Sequence, residues 1–431
     1  MASIIDLSTR IATNTTLLNT YLTEHNLPFP SFDISAPIDL LPPSTTPPEI
    51  LSARQQIIND TSALHNLLLG PREHIMSTYQ PISMISPKAI TQFRLVHSFP
   101  VGSETSFSAL AAHAGISQKH LTKLIRHGIV AHNLFAEPKP GVIVHSAATK
   151  LLAENEGIHN WVEYATHEHW IASYHAVEAM RQYPGSGEPN NSGFSLANQT
   201  DKSMFGFYST PGNEKRLERF AKVMRFITRR PELGPELAVD AFDWKGLPEG
   251  GKVVDVGGSH GLVSIELSKN FSQLEFVVQD LDESVVRGAE SKMPEEVKDR
   301  VKFMVHDFFT EQPVKGADVY FLRAVLHNWS DEYAVRILRN LIPGLKRGSK
   351  IVVNDVVLAD VGTYKDKSAE LWARVSDLTQ VVLQNSGDRE IGDYIKLFEA
   401  ADERLKYKEA KPMPGSTRLW IIVAEWEGTD S

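Results

Sequence analysis

One histidine and a set of acids at the ends of apolar runs carry the chemistry open to this 431-residue sequence. In Phe321-Leu-Arg-Ala-Val-Leu-His-Asn-Trp-Ser-Asp-Glu332, His327 directly follows Val319 to Leu326, which reads as a buried strand. An imidazole of ordinary pKa, about 6.5, can take a proton from a hydroxyl near neutral pH. At the carboxyl end of a sheet strand it faces the crevice where open α/β sheets bind ligands. Taken alone, a histidine here also reads as a structural one.

A second pattern is Lys252-Val-Val-Asp-Val-Gly-Gly-Ser-His-Gly261, a β-branched run ending in Asp255, then a Gly-rich turn into amphipathic Leu262 to Leu267. Gly257, Gly258 and Gly261 let the backbone turn sharply and approach a ligand. A helix opening just after the turn aims free N–H groups and its positive dipole end at that ligand. Two cofactor classes drop out. The dinucleotide fingerprint needs glycines at its first, third and sixth positions, here Gly257, Ser259 and Leu262, and a phosphate loop needs a terminal Gly-Lys-Ser/Thr. A plain strand-to-helix turn is the other reading of this run. Downstream, Glu275-Phe-Val-Val-Gln-Asp-Leu281 reads as a second strand ending in Asp280, 25 residues after Asp255. A carboxylate there can accept both hydrogen bonds of a ribose diol, although acids at strand ends are also common as solvated turn residues. A third strand, Val301 to Val305, ends in His306-Asp307-Phe308-Phe309.

The acid-then-glycine turn resembles the first motif of class I S-adenosylmethionine-dependent methyltransferases, with Ser259 in place of the middle glycine. The His327-x-Trp329-x-Asp331 run is similar to the signature of plant caffeate-type and fungal natural-product O-methyltransferases. The resemblance covers most of the chain and is strongest from about residue 230 onward. It implies an α/β fold, a Rossmann-like, seven-stranded, mostly parallel sheet with helices on both faces. It places that methyltransferase domain at 236–431, after an N-terminal, mostly helical winged-helix dimerisation domain at 1–235. It implies S-adenosyl-L-methionine as cofactor, a homodimer, no metal, and methyl transfer to a hydroxyl, phenolic in kind, of a small secondary metabolite, with His327 as general base. The cofactor set it implies is Asp255, Gly257, Gly258, Gly261, Asp280 and Leu281, with Asp307 bonding the adenine amino group, Phe308 packing on its ring, and Arg323, four positions before the histidine. Two acids complete the catalytic set. Asp355, in the fifth strand Lys350 to Leu358, stands where relatives usually have Glu. Ser386-Gly-Asp-Arg-Glu390 resembles the family's Gly-Lys-Glu-Arg loop, one residue shorter before Asp388. Relatives use these carboxylates to orient the imidazole and stabilise its protonated form. Both are one methylene shorter here.

The rest of the chain must position these groups. A hydrophobic content of 42% and a charged content of 23% are those of a soluble globular protein, and the length suits two domains. Zero cysteines exclude disulfides, Cys-based zinc sites and thiol nucleophiles. Met1 to Arg10 lacks a basic flank followed by an apolar core, and no apolar run approaches the roughly 18 residues of a membrane span, so a cytoplasmic enzyme is expected. The formal charge of −9 argues against a nucleic-acid-binding surface.

Residues 1–25 read as helix. Residues 26–48, with seven of the 24 prolines and the run Leu41 to Pro48, read as an extended connector. Helical spacing resumes over Ile50 to Leu69, with Ile57, Ile58, Leu64 and Leu68 on the expected buried face. Helices at Phe107–Gly115 and Ser117–Arg126, then two strands, Gly128 to His132 and Val142 to His145, around Pro138-Lys-Pro-Gly141 form a winged-helix pattern. Lys119, His120, Lys123 and Arg126 on its second helix make a DNA-binding regulator the competing class; the resembled family uses this fold for dimerisation. Trp161 to Met180, rich in aromatics and histidines, reads as helical core or dimer contact. His167 and His169, two apart, diverge on a helix and do not form a metal pair. Gly185 to Asn198 reads as an irregular loop. Glu214–Arg230 reads as a helix burying Leu217, Phe220, Met224 and Ile227, with Met204, Phe205 and Phe207 as acceptor-pocket candidates. Two further functions stay open: a pericyclic cyclase on the same fold and cofactor, and an inactive assembly partner.

Overall fold

The computed structural model describes residues 3–42, 45–78, 81–281, 283–364, 366–416 and 418–429. Met1 and Ala2 at the N-terminus, Pro43 and Ser44 of the connector and Thr417 of the last-strand run lie outside them. The chain forms two compact units. One comprises Met1–Trp170 with Glu218–Phe226 and Asp366–Ser368; the other comprises Ile171–Leu217, Ile227–Lys365 and Ala369–Ser431.

In the first unit, a Ser3–Asp6 capping box opens the helix Ile4–Glu24. It packs on Pro48–Thr78, a helix broken at Gly70, where φ is 67° and ψ is 173°. Ile50 and Ala53 are buried, but Ile58 and Leu68 are not, being 43% and 69% exposed. The pairs Arg10–Asp60 and Asn14–Gln56 set an antiparallel register in which the first helix begins short of Leu68, and Ile58 points one 100° step away from Ile57. A three-stranded antiparallel sheet, β1 (Glu104–Ser106), β2 (Ala136–Lys139) and β3 (Val142–Val144), has the order β1-β3-β2. Between its first two strands lie helices Phe107–Ala114 and Gln118–His132, separated by left-handed Gly115 and the N-cap Ser117. Gly128 to His132, expected as a strand, is thus the last turn of the second helix. Leu121, Ile125 and Gly128 are buried at helical spacing, and the chain leaves the helix only at left-handed Asn133. Three further helical segments, Glu156–Tyr164, a π-helical turn at Ala165–His169 and Trp170–Gln182, account for the aromatic-rich stretch. In the second unit, the expected loop 185–198 contains a short helix, Gly193–Ala197, because Ser192 caps it. In the helix Glu214–Ile227, Val223 is the fully buried residue, and Leu217, Phe220, Met224 and Ile227 are half-buried.

The second unit is built on a seven-stranded sheet. Strands β4 (Gly251–Val256), β5 (Leu274–Asp280), β6 (Val301–Val305), β7 (Ala317–Arg323), β8 (Leu345–Val356), β9 (Leu405–Pro412) and β10 (Leu419–Trp426) lie in the order β6-β5-β4-β7-β8-β10-β9. β10 alone runs antiparallel to both of its neighbours. Alternate residues enter opposite cores: Val254, Tyr320, Leu322, Ile351 and Val353 on one face, Val253, Val319, Phe321 and Val352 on the other. Each such fully buried side chain contributes about 1.5–3 kcal/mol, which explains why these strands are apolar on both faces.

The order reverses between β4 and β7, so their carboxyl ends open a crevice. β7 is shorter than the expected Val319–Leu326. It ends at Arg323, because Ala324 takes a φ of 52° and Leu326–Asn328 coil into a 3₁₀ turn. His327 therefore sits on a turn beyond the strand. β8 likewise starts at Leu345 and ends at Val356, earlier than the expected Leu358.

The Gly-rich turn depends on Gly261, whose φ is +66° and whose missing Cβ would lie 2.9 Å from the Phe303 ring. Gly261→Ala should cost roughly 2–4 kcal/mol, combining left-handed strain with overpacking. Urea unfolding midpoints check this, and an unchanged midpoint contradicts the argument.

Candidate active site

Asp255 closes β4 and is 2% exposed. Its carboxylate accepts the Ser264 hydroxyl at 2.6 Å, tying the strand end to the following helix, Leu262–Asn270. Gly258 cannot carry a side chain, since a Cβ would lie 2.5 Å from the Asp255 carboxyl carbon. Burial pushes Asp255 up to about 6, against the Ser264 hydrogen bond and the positive charge of Arg323. One strand over, Asp280 ends β5 and accepts the backbone N–H of Ser259 at 3.0 Å, which joins the turn to the second acid. Leu281 beside it is 66% exposed. Asp307, after β6, accepts the Phe309 N–H at 2.9 Å. Phe308 stands over the turn: a Cβ on Gly257 would come 3.7 Å from its ring and 3.0 Å from Val325. Four chain segments, around 255–261, 280, 307–308 and 323–325, thus meet at the carboxyl ends of neighbouring strands.

Arg323 ends β7 and donates to the backbone carbonyls of Leu233 and Gly234. Its Nη1 is buried and makes no hydrogen bond among the described residues. Burial pulls its pKa down to about 10, while Asp255, Glu236 and Asp355 pull it up.

Beyond Arg323, the turn at Leu326–Asn328 carries His327, whose side chain is 14% exposed. Its Nδ1 lies 3.1 Å from Asp388 Oδ1 and 3.6 Å from Asp355 Oδ1. Burial pushes this imidazole down, but the two carboxylates outweigh it, and its pKa is raised above the ordinary value. Asp355, fully buried near the end of β8, is pushed up to about 6 by burial, against the nearby imidazole. Fully buried Tyr394 is raised well above its usual range, first by burial and then by Asp355. With Nδ1 turned to the carboxylates, Nε2 is the nitrogen left to exchange a proton with a ligand.

The sequence reading overlooked several groups that hold this arrangement. Arg389 donates to Leu326 and Trp329 carbonyls and to Asp331, Ser386 Oγ donates to the His327 carbonyl, and Asp377 accepts the Asp388 N–H. The Asp388-Arg389 pair was visible as sequence, but which side chain reaches which turn has no sequence signal. Ser264, nine residues after Asp255, had only its place on the helix. Of the acceptor-pocket candidates, Met204 is buried in the short helix Met204–Tyr208, and Phe205 lies 6.2 Å, ring to ring, from Trp329. Among the described residues no cluster of three or more His, Asp or Glu is arranged to hold a metal, and no helix is long and apolar enough to cross a membrane.

An O-methyltransferase domain family matches residues 198–402. Over 433 residues the chain is 35% identical to O-methyltransferase pyvH of Aspergillus violaceofuscus, covering 99% of both proteins. It is 36% identical to the grayanic acid biosynthesis cluster O-methyltransferase of Cladonia grayi, covering 99% of this chain and 88% of that one. Among solved structures, OxaC in complex with SAH and oxaline aligns with a TM-score of 0.72 at 20% identity, over 97% of this chain and 100% of that one.

Two titrations test the electrostatics. Asp388→Asn removes a negative charge from His327 but leaves its burial, so the imidazole midpoint should fall; NMR of histidine-labelled protein reads it, and an unmoved midpoint rejects the contact. Asp255 has a folded pKa of about 6, above its ordinary 3.8. Its contribution to stability is complete below about pH 4 and is lost as pH rises through 6, a loss of about 3 kcal/mol. Asp255→Asn lacks that loss. Its melting temperature relative to wild type should therefore rise between pH 4 and 7, and a flat difference would falsify the assignment.

Proposed function

The chain belongs to the class I S-adenosylmethionine-dependent O-methyltransferases, and from that premise we propose that it methylates a phenolic hydroxyl of a small secondary metabolite with His327 as general base. The observation that carries this reading is the buried contact of His327 Nδ1 with Asp388 at 3.1 Å, with Asp355 at 3.6 Å. A carboxylate on Nδ1 fixes the tautomer and leaves Nε2 as the base, and it stabilises the imidazolium formed when the acceptor loses its proton. The natural-product context of the Cladonia relative and the oxaline in OxaC support a small-molecule acceptor.

The residues at the crevice fit the cofactor. Asp280 suits a ribose diol, Asp307 an adenine amino group, and Phe308 and Leu281 an apolar lining. The buried, unsatisfied Nη1 of Arg323 suits a carboxylate such as that of the cofactor's amino-acid end. Asp255, Gly257, Gly258 and Gly261 shape the turn that these groups flank. When bound, S-adenosylmethionine supplies an electrophilic methyl group on a positively charged sulfur. The protein's part is to hold the acceptor in line and take its proton, and proton removal contributes perhaps 10²–10⁴-fold.

We assign residues 236–431 as the methyltransferase domain and 1–235 as a winged-helix homodimerisation domain. Exposed apolar side chains on the helix Trp170–Gln182, such as Tyr174 (83%) and Val177 (73%), suit a two-fold contact. Arg126, a candidate DNA contact, is engaged by Glu137 at 2.8 Å, which favours assembly over DNA binding.

His327→Ala should leave cofactor affinity nearly unchanged and lower turnover about 10²-fold or more. The wild-type rate should rise with pH through an imidazole value above the ordinary one, and the variant should lack that limb. Product mass decides the reaction: one added methyl supports transfer, whereas an isomerised product of unchanged mass supports cyclisation instead. Asp280→Ala should weaken binding of the demethylated cofactor by about 1.5–3 kcal/mol in calorimetry. Light scattering at micromolar concentration should give a dimer; a monomer removes the assembly role.

A further inference from the structure

Arg389 is a buried cation, 5% exposed, one residue from Asp388, yet its guanidinium donates to neither Asp388 nor Asp355 but to Asp331 and to the carbonyls of Leu326 and Trp329. Nη1 donates to the Leu326 carbonyl at 2.8 Å and Nη2 to the Trp329 carbonyl at 2.6 Å, one on each side of His327. Nε donates to Asp331 at 2.8 Å, at the start of the next helix, Asp331–Leu341. The backbone of Arg389 is fixed as well. It pairs in a parallel bridge with Val357, and its carbonyl accepts the Leu358 N–H at 2.9 Å, just past the strand that carries Asp355. One residue therefore ties together the strand of Asp355, the peptide of Asp388 and the turn of His327.

We propose that Arg389 is a positioning residue that sets the distance and tautomer of His327 against Asp388, an inference that rests on His327 being the base. The physical reason lies in the short acids. With Asp at both orienting positions, one contact is 3.1 Å, near the long end of a good hydrogen bond, and the other, at 3.6 Å, is already outside it. A shift of the turn by a few tenths of an ångström breaks the first contact, and nothing closer replaces it. A planar guanidinium holding two carbonyls and a carboxylate in one fork restrains that shift; a lysine ammonium, a single point on a flexible stem, does not. The guanidinium also acts by charge, opposing the rise of the imidazole pKa that the carboxylates cause.

The test compares wild type with Arg389→Lys and Arg389→Met, using S-adenosylhomocysteine calorimetry to count folded sites and NMR of histidine-labelled protein to read His327. Arg389→Lys keeps the charge and loses the fork. Its His327 titration should fall and its preference for a proton on Nδ1 should weaken, while cofactor affinity stays within about twofold. Turnover per binding site should fall roughly 10–100-fold, the scale of a misplaced catalytic group, with KM little changed. Arg389→Met should lose the same tautomer preference. If both variants bind cofactor and show the wild-type titration and tautomer, Arg389 is a structural staple and the proposal is overturned. Should neither Arg389 variant bind, Asp331→Asn decides, since Asp331 is 76% exposed and anchors only one arm of the fork. A weakened His327 tautomer preference then supports the proposal, and an unchanged one rejects it. Full methyl transfer by His327→Ala would instead remove the base assignment, a separate result from the Arg389 spectra.

Discussion

Two carboxylates lie within 3.6 Å of one imidazole in a part of the protein from which water is largely excluded. Charges taken out of water are costly unless their partners are held close, and much of the local structure fixes the backbone that carries these three groups. Asp377 takes the amide of Asp388, Ser386 takes the carbonyl of His327, and Arg389 holds the carbonyls around it. Burial alone pushes the His327 pKa down and the Asp355 pKa up. Their mutual contact resists both tendencies, raising the histidine and restraining the acid.

The sheet makes this cluster possible by where its order reverses. β4 carries Asp255 just before its end with the Gly-rich turn beyond it, and its neighbour β7 ends in Arg323 with the turn of His327 beyond it. Asp255 and the turn of His327 consequently stand at neighbouring strand ends, although they lie some seventy positions apart in sequence. Arg323 stands between the two sets. Asp255 and Asp355 both act on its charge, and its donors grip the chain at Leu233 and Gly234. A substitution at Arg323 therefore acts on both halves of the crevice.

The legible features were local ones. Continuous runs of Val, Ile, Leu and Phe marked the strands, because a sheet covered on both faces needs apolar residues throughout. Glycine at 257 and 261 marked the turn, because only a residue without a Cβ tolerates those φ values and approaches. The errors were boundary errors with local causes. Gly128 to His132 looked extended, yet its residues complete the buried helical stripe of Leu121 and Ile125. The apolar run Val319 to Leu326 looked like one strand, yet Ala324 turns the chain before His327. Ile58 and Leu68 had helical spacing, but a helix buries only what its partner helix reaches.

The sequence by itself determined which residue types stand at strand ends, the turn that opens the helix after β4, and the histidine with a tryptophan two residues on. Each of these depends on neighbours within a few positions and on side-chain chemistry alone. Only the tertiary structure decided that Asp388, despite its short side chain and shortened loop, reaches His327 ahead of Asp355, and that Arg389 grips the turn between them. Those contacts join residues about 30 to 60 positions apart, and their distances are set by strand register, by a left-handed alanine and by a guanidinium fork. No periodicity along the chain records how far a side chain reaches across such a gap, because that reach is a property of packed backbones rather than of residue order.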